Sequence, residues 1–216
     1  MRVPALALAL ATALPALAED EGEAVGVGSL APNFALKTLN ADVVGESWIA
    51  LDRYVGDDAE DGGARIVVLS FFASWCAPCQ KEMPLLERLH RAYRAHGLRV
   101  LSVSIDGDEE GMAAARRMVT RNRVTYPVLS DRFNVLARRY LGEQAPLPSL
   151  FVVGRDGVIR RIERGYTRDA AGFLVADVQT GLGLRSTPAL AAPARKGAPT
   201  SPASAPAARP VSTRPR

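Results

Sequence analysis

Apolar residues on both parities mark Ile66 to Phe72 as a central strand covered on two faces. Leu98 to Ile105 reads as the next strand. Ser149 to Gly154 and Val158 to Ile162 form a hairpin around Arg155-Asp156-Gly157. Helical spacing governs the stretches between. A helix from about Cys76 to His96, kinked by Pro84, carries Cys79, Glu82, Leu86, Leu89 and Tyr93 on one stripe. Asp108 is placed to cap a second helix that holds Met112, Ala115 and Val119, with Arg116, Arg117 and Arg121 on its other faces. Tyr126 to Asp131 is a short extended piece. It leads into a helix with Phe133, Leu136, Ala137 and Tyr140, closed by Gly142. A last helix, about Arg168 to Leu182, presents Leu174, Val178 and Leu182 on one face. Upstream, Phe34 to Lys37, Val43-Val44 and Trp48 to Leu51 are strand-like pieces that predict an N-terminal β-hairpin. This order implies an α/β fold: a central mixed sheet with helices on both faces.

The ends of the chain differ in character. Met1-Arg2, the apolar run Val3 to Leu17 and Ala16-Leu17-Ala18 read as a signal peptide over residues 1–18. The run is short for a bilayer span and Pro15 breaks its end, so an uncleaved anchor is the alternative. No cysteine follows it to take a lipid. Glu19 to Gly28 is an acidic lead-in, and Asp57 to Gly63 a polar loop without calcium-loop spacing. Residues 19–184 form the predicted domain. Residues 185–216, rich in Pro, Ala, Ser, Thr and Arg, cannot bury enough surface to offset their ordering entropy and form a disordered basic tail.

Charge follows this division. The net charge of +4 and a pI near 9.4 invite a nucleic-acid partner. Yet seven of the 27 basic residues lie in the two end segments, which leaves 20 against all 23 acidic residues between them. The predicted domain is mildly acidic, so nucleic acid is not an expected partner. Nor is stable membrane insertion expected once the signal segment is removed.

The chemistry concentrates at Cys76-Ala77-Pro78-Cys79, which hold the chain's two cysteines. At a helix N-terminus the unpaired N–H groups and the macrodipole stabilise a thiolate. With two residues between them, both sulfurs can close into one disulfide and exchange with another. A bare pair at this spacing is equally half a zinc site or a structural bridge. The histidines are His90 and His96 only, so a four-ligand zinc site would need carboxylates.

The run Phe71-Phe72-Ala73-Ser74-Trp75-Cys76-Ala77-Pro78-Cys79, with Glu82 and Pro84 after it, resembles the thioredoxin superfamily. More narrowly it resembles the extracytoplasmic branch with TlpA, ResA and the cytochrome c maturation thioredoxins, over about residues 30–182. The resemblance implies a thioredoxin-like fold with an N-terminal β-hairpin. It also implies a thiol–disulfide oxidoreductase whose Cys76–Cys79 disulfide is redox-active, without cofactor or metal. Cys76 would be the exposed nucleophile and Cys79 the more buried resolver. Trp75 would shape the docking surface or pack in the core, and Pro78 would limit the freedom of the turn. Glu82 matches a carboxylate that ResA-like members carry three residues after the second cysteine. Thioredoxins instead place a buried Asp six residues before the first cysteine, where this chain has Ser70. On the buried stripe Glu82 would have a raised pKa, suited to taking and returning the proton of Cys79; a snorkelling surface Glu is the alternative. Pro148, after Leu147, matches the family's cis-proline beside the substrate, although an edge-strand proline reads the same way. Leu147 and Ser149 depart mildly from the family's usual neighbours, which leaves substrate preference open.

The implied function is reduction of disulfides in envelope proteins such as apocytochrome c or copper-site proteins, in the periplasm, with a membrane thiol donor. A peroxiredoxin-like peroxidase would need Thr or Ser three residues before the cysteine, where Ala73 stands. A Sco-like copper chaperone would need three residues between the cysteines and a distant C-terminal His. No His follows His96.

Overall fold

The computed structural model describes residues 25–184, apart from 58, 61–62, 144–145 and the side chains of 168, 170 and 171. The signal segment, the acidic lead-in to residue 24 and the basic tail lie outside the described residues. Strand β3 (Ile66–Phe72) is buried along its whole length, and its alternation divides the core. Ile66, Val68 and Phe72 face one apolar cluster; Val67, Leu69 and Phe71 face the other.

Seven strands form one sheet in the order β2-β1-β5-β4-β3-β6-β7. These are β1 (Ala35–Thr38), β2 (Trp48–Ala50), β4 (Leu98–Ser104), β5 (Val128–Ser130), β6 (Ser149–Gly154) and β7 (Ile159–Arg164), with β3 central. β3 runs parallel to β4 and antiparallel to β6, where Phe71 faces Ser149. Helices α2 (Ala77–Tyr93), α3 (Glu109–Arg121) and α5 (Arg168–Gly181) pack on the face of Val68 and Phe72, through Leu86, Met118 and Val178 among others. α4 (Val135–Leu141) covers the opposite face. There Phe71, Tyr140 and Phe151 meet with ring centroids 5.1–5.8 Å apart.

The predicted N-terminal hairpin is present as β1 and β2, antiparallel, and β1 also pairs antiparallel with β5. Asn40 fixes it to the core. Its buried side-chain amide donates to the Tyr126 carbonyl at 3.0 Å and accepts the Val128 N–H at 3.0 Å. Upstream, Gly28 N–H donates to the Ile159 carbonyl, Ile159 N–H to Ser29, and Ala31 N–H to Gly157, so residues 28–31 line the β7 side of the sheet.

Three details differ from the sequence expectation. Val43 and Val44 lie in a one-turn helix, α1 (Ala41–Val44), because Gly45 takes φ 81 and closes the turn on Ala41. Phe133 is 74% exposed and precedes α4, because the Asp131 carboxylate accepts the N–H groups of Val135 and Ala137 and sets the helix start beyond it. α2, with Pro84 inside it, ends at Tyr93, and Arg94–His96 form a 3-10 turn. In the acidic loop Glu60 is largely exposed and pairs with Arg53 at 2.9 Å, in keeping with the expected polar loop.

Replacing Asn40 by Ala orphans a buried carbonyl and a buried N–H, each costing about 1–3 kcal/mol. Urea unfolding of Asn40→Ala is expected to show a loss of about 2–4 kcal/mol. Asn40→Asp, which keeps the acceptor for Val128, is expected to lose less when its carboxylate is protonated.

Candidate active site

β3 ends in an apolar strand terminus, the chain turns through Ser74-Trp75, and α2 begins at Ala77. Cys76 is the N-cap of α2, with extended φ/ψ, and its sulfur accepts the Cys79 N–H at 3.2 Å. Cys76 and Cys79 are joined by a disulfide, with Cα atoms 5.3 Å apart. Pro78 lies in the first helical turn, where its missing N–H would have no helical partner.

Both cysteines are buried in this oxidised state, Cys76 at 5% and Cys79 at 2% exposure. Cys76, expected to be exposed, is buried in this disulfide form, where its sulfur accepts the Cys79 N–H; it is the less buried of the two. Trp75 is 73% exposed and stands beside the disulfide, outside the core. It flanks a groove of about 310 Å³ whose other walls include Asp106, Asp108, Glu110 and Arg117.

Glu82 sits one helical turn beyond Cys79, about 5–6 Å away between Cβ atoms for this spacing. It is 5% exposed. Burial pushes its pKa up to about 7, against the opposing effect of the Ser70 hydroxyl, which donates to Oε2 at 2.6 Å. Ser70 shares the parity of Val68 and Phe72, which aims it beneath α2. The serine that stands in place of the usual strand Asp is thus the hydrogen-bond donor to the helix carboxyl. Glu82 also lines a narrow cavity of about 10 Å³ with Glu163, Tyr166 and Leu150, close to the space of one water.

The Leu147–Pro148 bond is cis. Pro148 is buried, and its carbonyl accepts the Gly165 N–H at 2.7 Å. Leu147 is partly buried against both apolar clusters. The register that sets Ser149 opposite Phe71 brings this segment to the same end of the sheet as the cysteine turn.

Asp106 escaped the sequence reading. Its buried carboxylate accepts the Ser74 N–H at 2.9 Å, the Ser74 hydroxyl at 2.7 Å and the Ser104 hydroxyl at 2.7 Å. This ties the turn before Cys76 to the end of β4. The signal was present as a polar Ser104-x-Asp106 directly after an apolar strand, but nothing in the sequence paired it with Ser74. Among the described residues no three His, Cys, Asp or Glu side chains gather as metal ligands.

Residues 27–162 match the AhpC/TSA family. The thiol-disulfide oxidoreductase ResA of Oceanobacillus iheyensis is 29% identical over 160 residues, covering 74% of this chain and 76% of that protein. ResA of Geobacillus thermodenitrificans is 30% identical over 145 residues, covering 67% and 73%. Among solved structures, a putative thiol:disulfide interchange protein DsbE from Chlorobium tepidum superposes with a TM-score of 0.62 at 24% identity, covering 74% of this chain and all of that one. The fold, the paired cysteines and these likenesses agree: the chain belongs to the AhpC/TSA family, among its thioredoxin-like members that resemble ResA.

Proposed function

We propose that this thiol–disulfide oxidoreductase is an extracytoplasmic reductant of disulfides in partner proteins. The observation that carries the reading is the buried Glu82 carboxyl, near neutrality in pKa and one turn from Cys79. In the dithiol form the Cys76 thiolate attacks a partner disulfide, forms a mixed disulfide and expels a partner thiolate. Glu82 takes the proton of Cys79. The Cys79 thiolate then attacks the Cys76 sulfur, releases the second partner thiolate and leaves the Cys76–Cys79 disulfide seen here. Two electrons pass to the partner, and a membrane dithiol donor would return them. Trp75, Leu147 and Pro148 flank the pair where a partner chain would lie, and Asp106 holds the turn that presents Cys76. The signal-like residues 1–18 support an envelope location, and the motif's resemblance to extracytoplasmic thioredoxins makes apocytochrome c and copper-site proteins candidate partners.

Direction follows from the residues between the cysteines. Ala77 and Pro78 carry no charge and donate no side-chain hydrogen bond. Helix position alone lowers a thiol to about 7, as in thioredoxin, against about 3.5 in DsbA. A less stabilised thiolate gives a more reducing pair. Equilibration with glutathione is expected to give a potential below about −200 mV, and a value near −120 mV would make the protein an oxidant. The same preparation should reduce insulin, while peroxide consumption should stay at background. A Cys79→Ser variant should trap the partner as a mixed disulfide through Cys76.

Glu82 makes two outcomes measurable. A group held protonated to about pH 7 in the fold, but only to about 4.5 when unfolded, contributes stability below pH 4.5 that is lost as pH rises through 7. Relative to wild type, Glu82→Gln should therefore gain about 3 kcal/mol between those limits in pH-dependent unfolding of the oxidised protein. Its disulfide exchange should be slower by about tenfold or more, with the inflection near neutrality removed.

Asp106→Ala should leave the Glu82 inflection in place while lowering exchange with protein substrates. Loss of three hydrogen bonds to one buried carboxylate is expected to cost about 2–4 kcal/mol in stability, read by urea unfolding.

A further inference from the structure

A second concavity lies far from the disulfide. Arg91 is 15 positions beyond Cys76 along α2, about 22 Å at the rise of a helix. It shares a groove of about 470 Å³ with Arg116 of α3 and Arg123 of the following turn. That volume falls within the usual range for small-molecule sites. Val119 and Val124 are buried at its base, and Leu39 and Val43 form an apolar wall from the N-terminal hairpin. All three guanidinium groups are exposed, and Asp42 is the one acidic side chain in the lining.

Two of the three cations have no partner of their own. Among the described residues, neither Arg116 nor Arg123 makes an ion pair or side-chain hydrogen bond. Arg91 is held in place: Glu87, 8% exposed, accepts its Nε–H together with the Thr125 N–H and hydroxyl. That carboxylate ties α2 to the segment after α3, so the two sides of the groove are fixed to each other. Arg123 adopts φ 51, a region that side chains other than Gly rarely enter. Its N–H closes a turn on the Thr120 carbonyl. Arg116 and Arg123 thus stand beside an apolar floor without a counter-charge of their own, Arg91 turns its remaining guanidinium N–H groups to the same groove, and guanidinium forks match the planar oxygens of carboxylate, sulfonate and phosphate.

We propose that this groove binds a small amphiphilic anion: one acidic head held by Arg91, Arg116 and Arg123, on a short apolar body seated against Leu39, Val43, Val119 and Val124. The site is separate from the cysteine pair and does not depend on the direction of its chemistry. A flat phosphate-bearing surface would meet the exposed arginines but could not reach the buried valines, which favours a monomeric ligand over a bilayer.

Decanoate is a suitable probe for the full-length oxidised protein. Titration followed by calorimetry and amide NMR should show it binding at least about tenfold more tightly than neutral decyl glucoside or inorganic phosphate alone. Shifts should be centred on Val43, Val119 and Thr125, and affinity should fall as salt rises. Arg116→Ala/Arg123→Ala should lose about tenfold or more in decanoate affinity with unchanged melting temperature and unchanged insulin reduction. Should that pair fail to fold, Arg116→Glu alone, on an exposed helical face, should show the same loss. Equal binding of decyl glucoside would reduce the groove to an apolar patch and overturn the proposal. So would retained affinity in the arginine variants. Co-sedimentation with phosphatidylglycerol vesicles but no decanoate binding would assign the arginines to a membrane surface and overturn it as well.

Discussion

A carboxyl group set in an apolar layer, with no counter-charge, stays there at modest cost only while it keeps its proton. Glu82 is in that position, and much of the site follows from it. The α2 stripe that buries Leu86 and Leu89 also buries Cys79 and Glu82, so the resolving sulfur and its proton acceptor share one dry environment. Ser70 supplies a single neutral hydrogen bond. A cation in its place would hold the carboxylate charged and make it a poor base near neutral pH. The neutral donor is what leaves the proton transferable.

The reacting end of the site rests on a different device. Cys76 is packed in the core, while Ser74 and Trp75 before it form a polar, partly exposed turn. Order there comes from Asp106, whose two oxygens hold Ser74 and Ser104 together across neighbouring segments. Buried groups of opposite kind thus divide the work. A protonated carboxyl lies behind the disulfide to move a proton, and a fully hydrogen-bonded carboxylate lies beside it to hold a loop.

The central sheet, the order of its helices and the cysteine pair are legible in the sequence because period 2 and period 3.6 are strong signals in long buried elements. Short elements were less so. Val43-Val44 reads as strand by composition, but one left-handed Gly45 and the tether at Asn40 make it a helical turn. Phe133 has helical spacing to Leu136 and Ala137, yet the cap at Asp131 excludes it. Glu82 is legible because its periodicity and the family resemblance point the same way. Asp106 is not, since its partner Ser74 lies 32 positions away and only the parallel pairing of β3 with β4 brings them together. The burial of Cys76 in the disulfide form comes from packing with Ala73, Met83 and their neighbours in the core, which spacing alone does not encode.

The segment joining residue 31 to β1 has a mechanical meaning. Ala31 is bonded at the β7 side of the sheet, while Lys37 pairs with Ser130 of β5. The link is a strap between the two borders of the sheet, pinned near its start where Tyr140 donates to the Pro32 carbonyl. It shields one lateral border of the sheet and delivers the hairpin that extends the other. Cleavage of this one strap would bare hydrogen-bonding groups along β5 and β7 together, and so convert a closed domain into one with two adhesive edges.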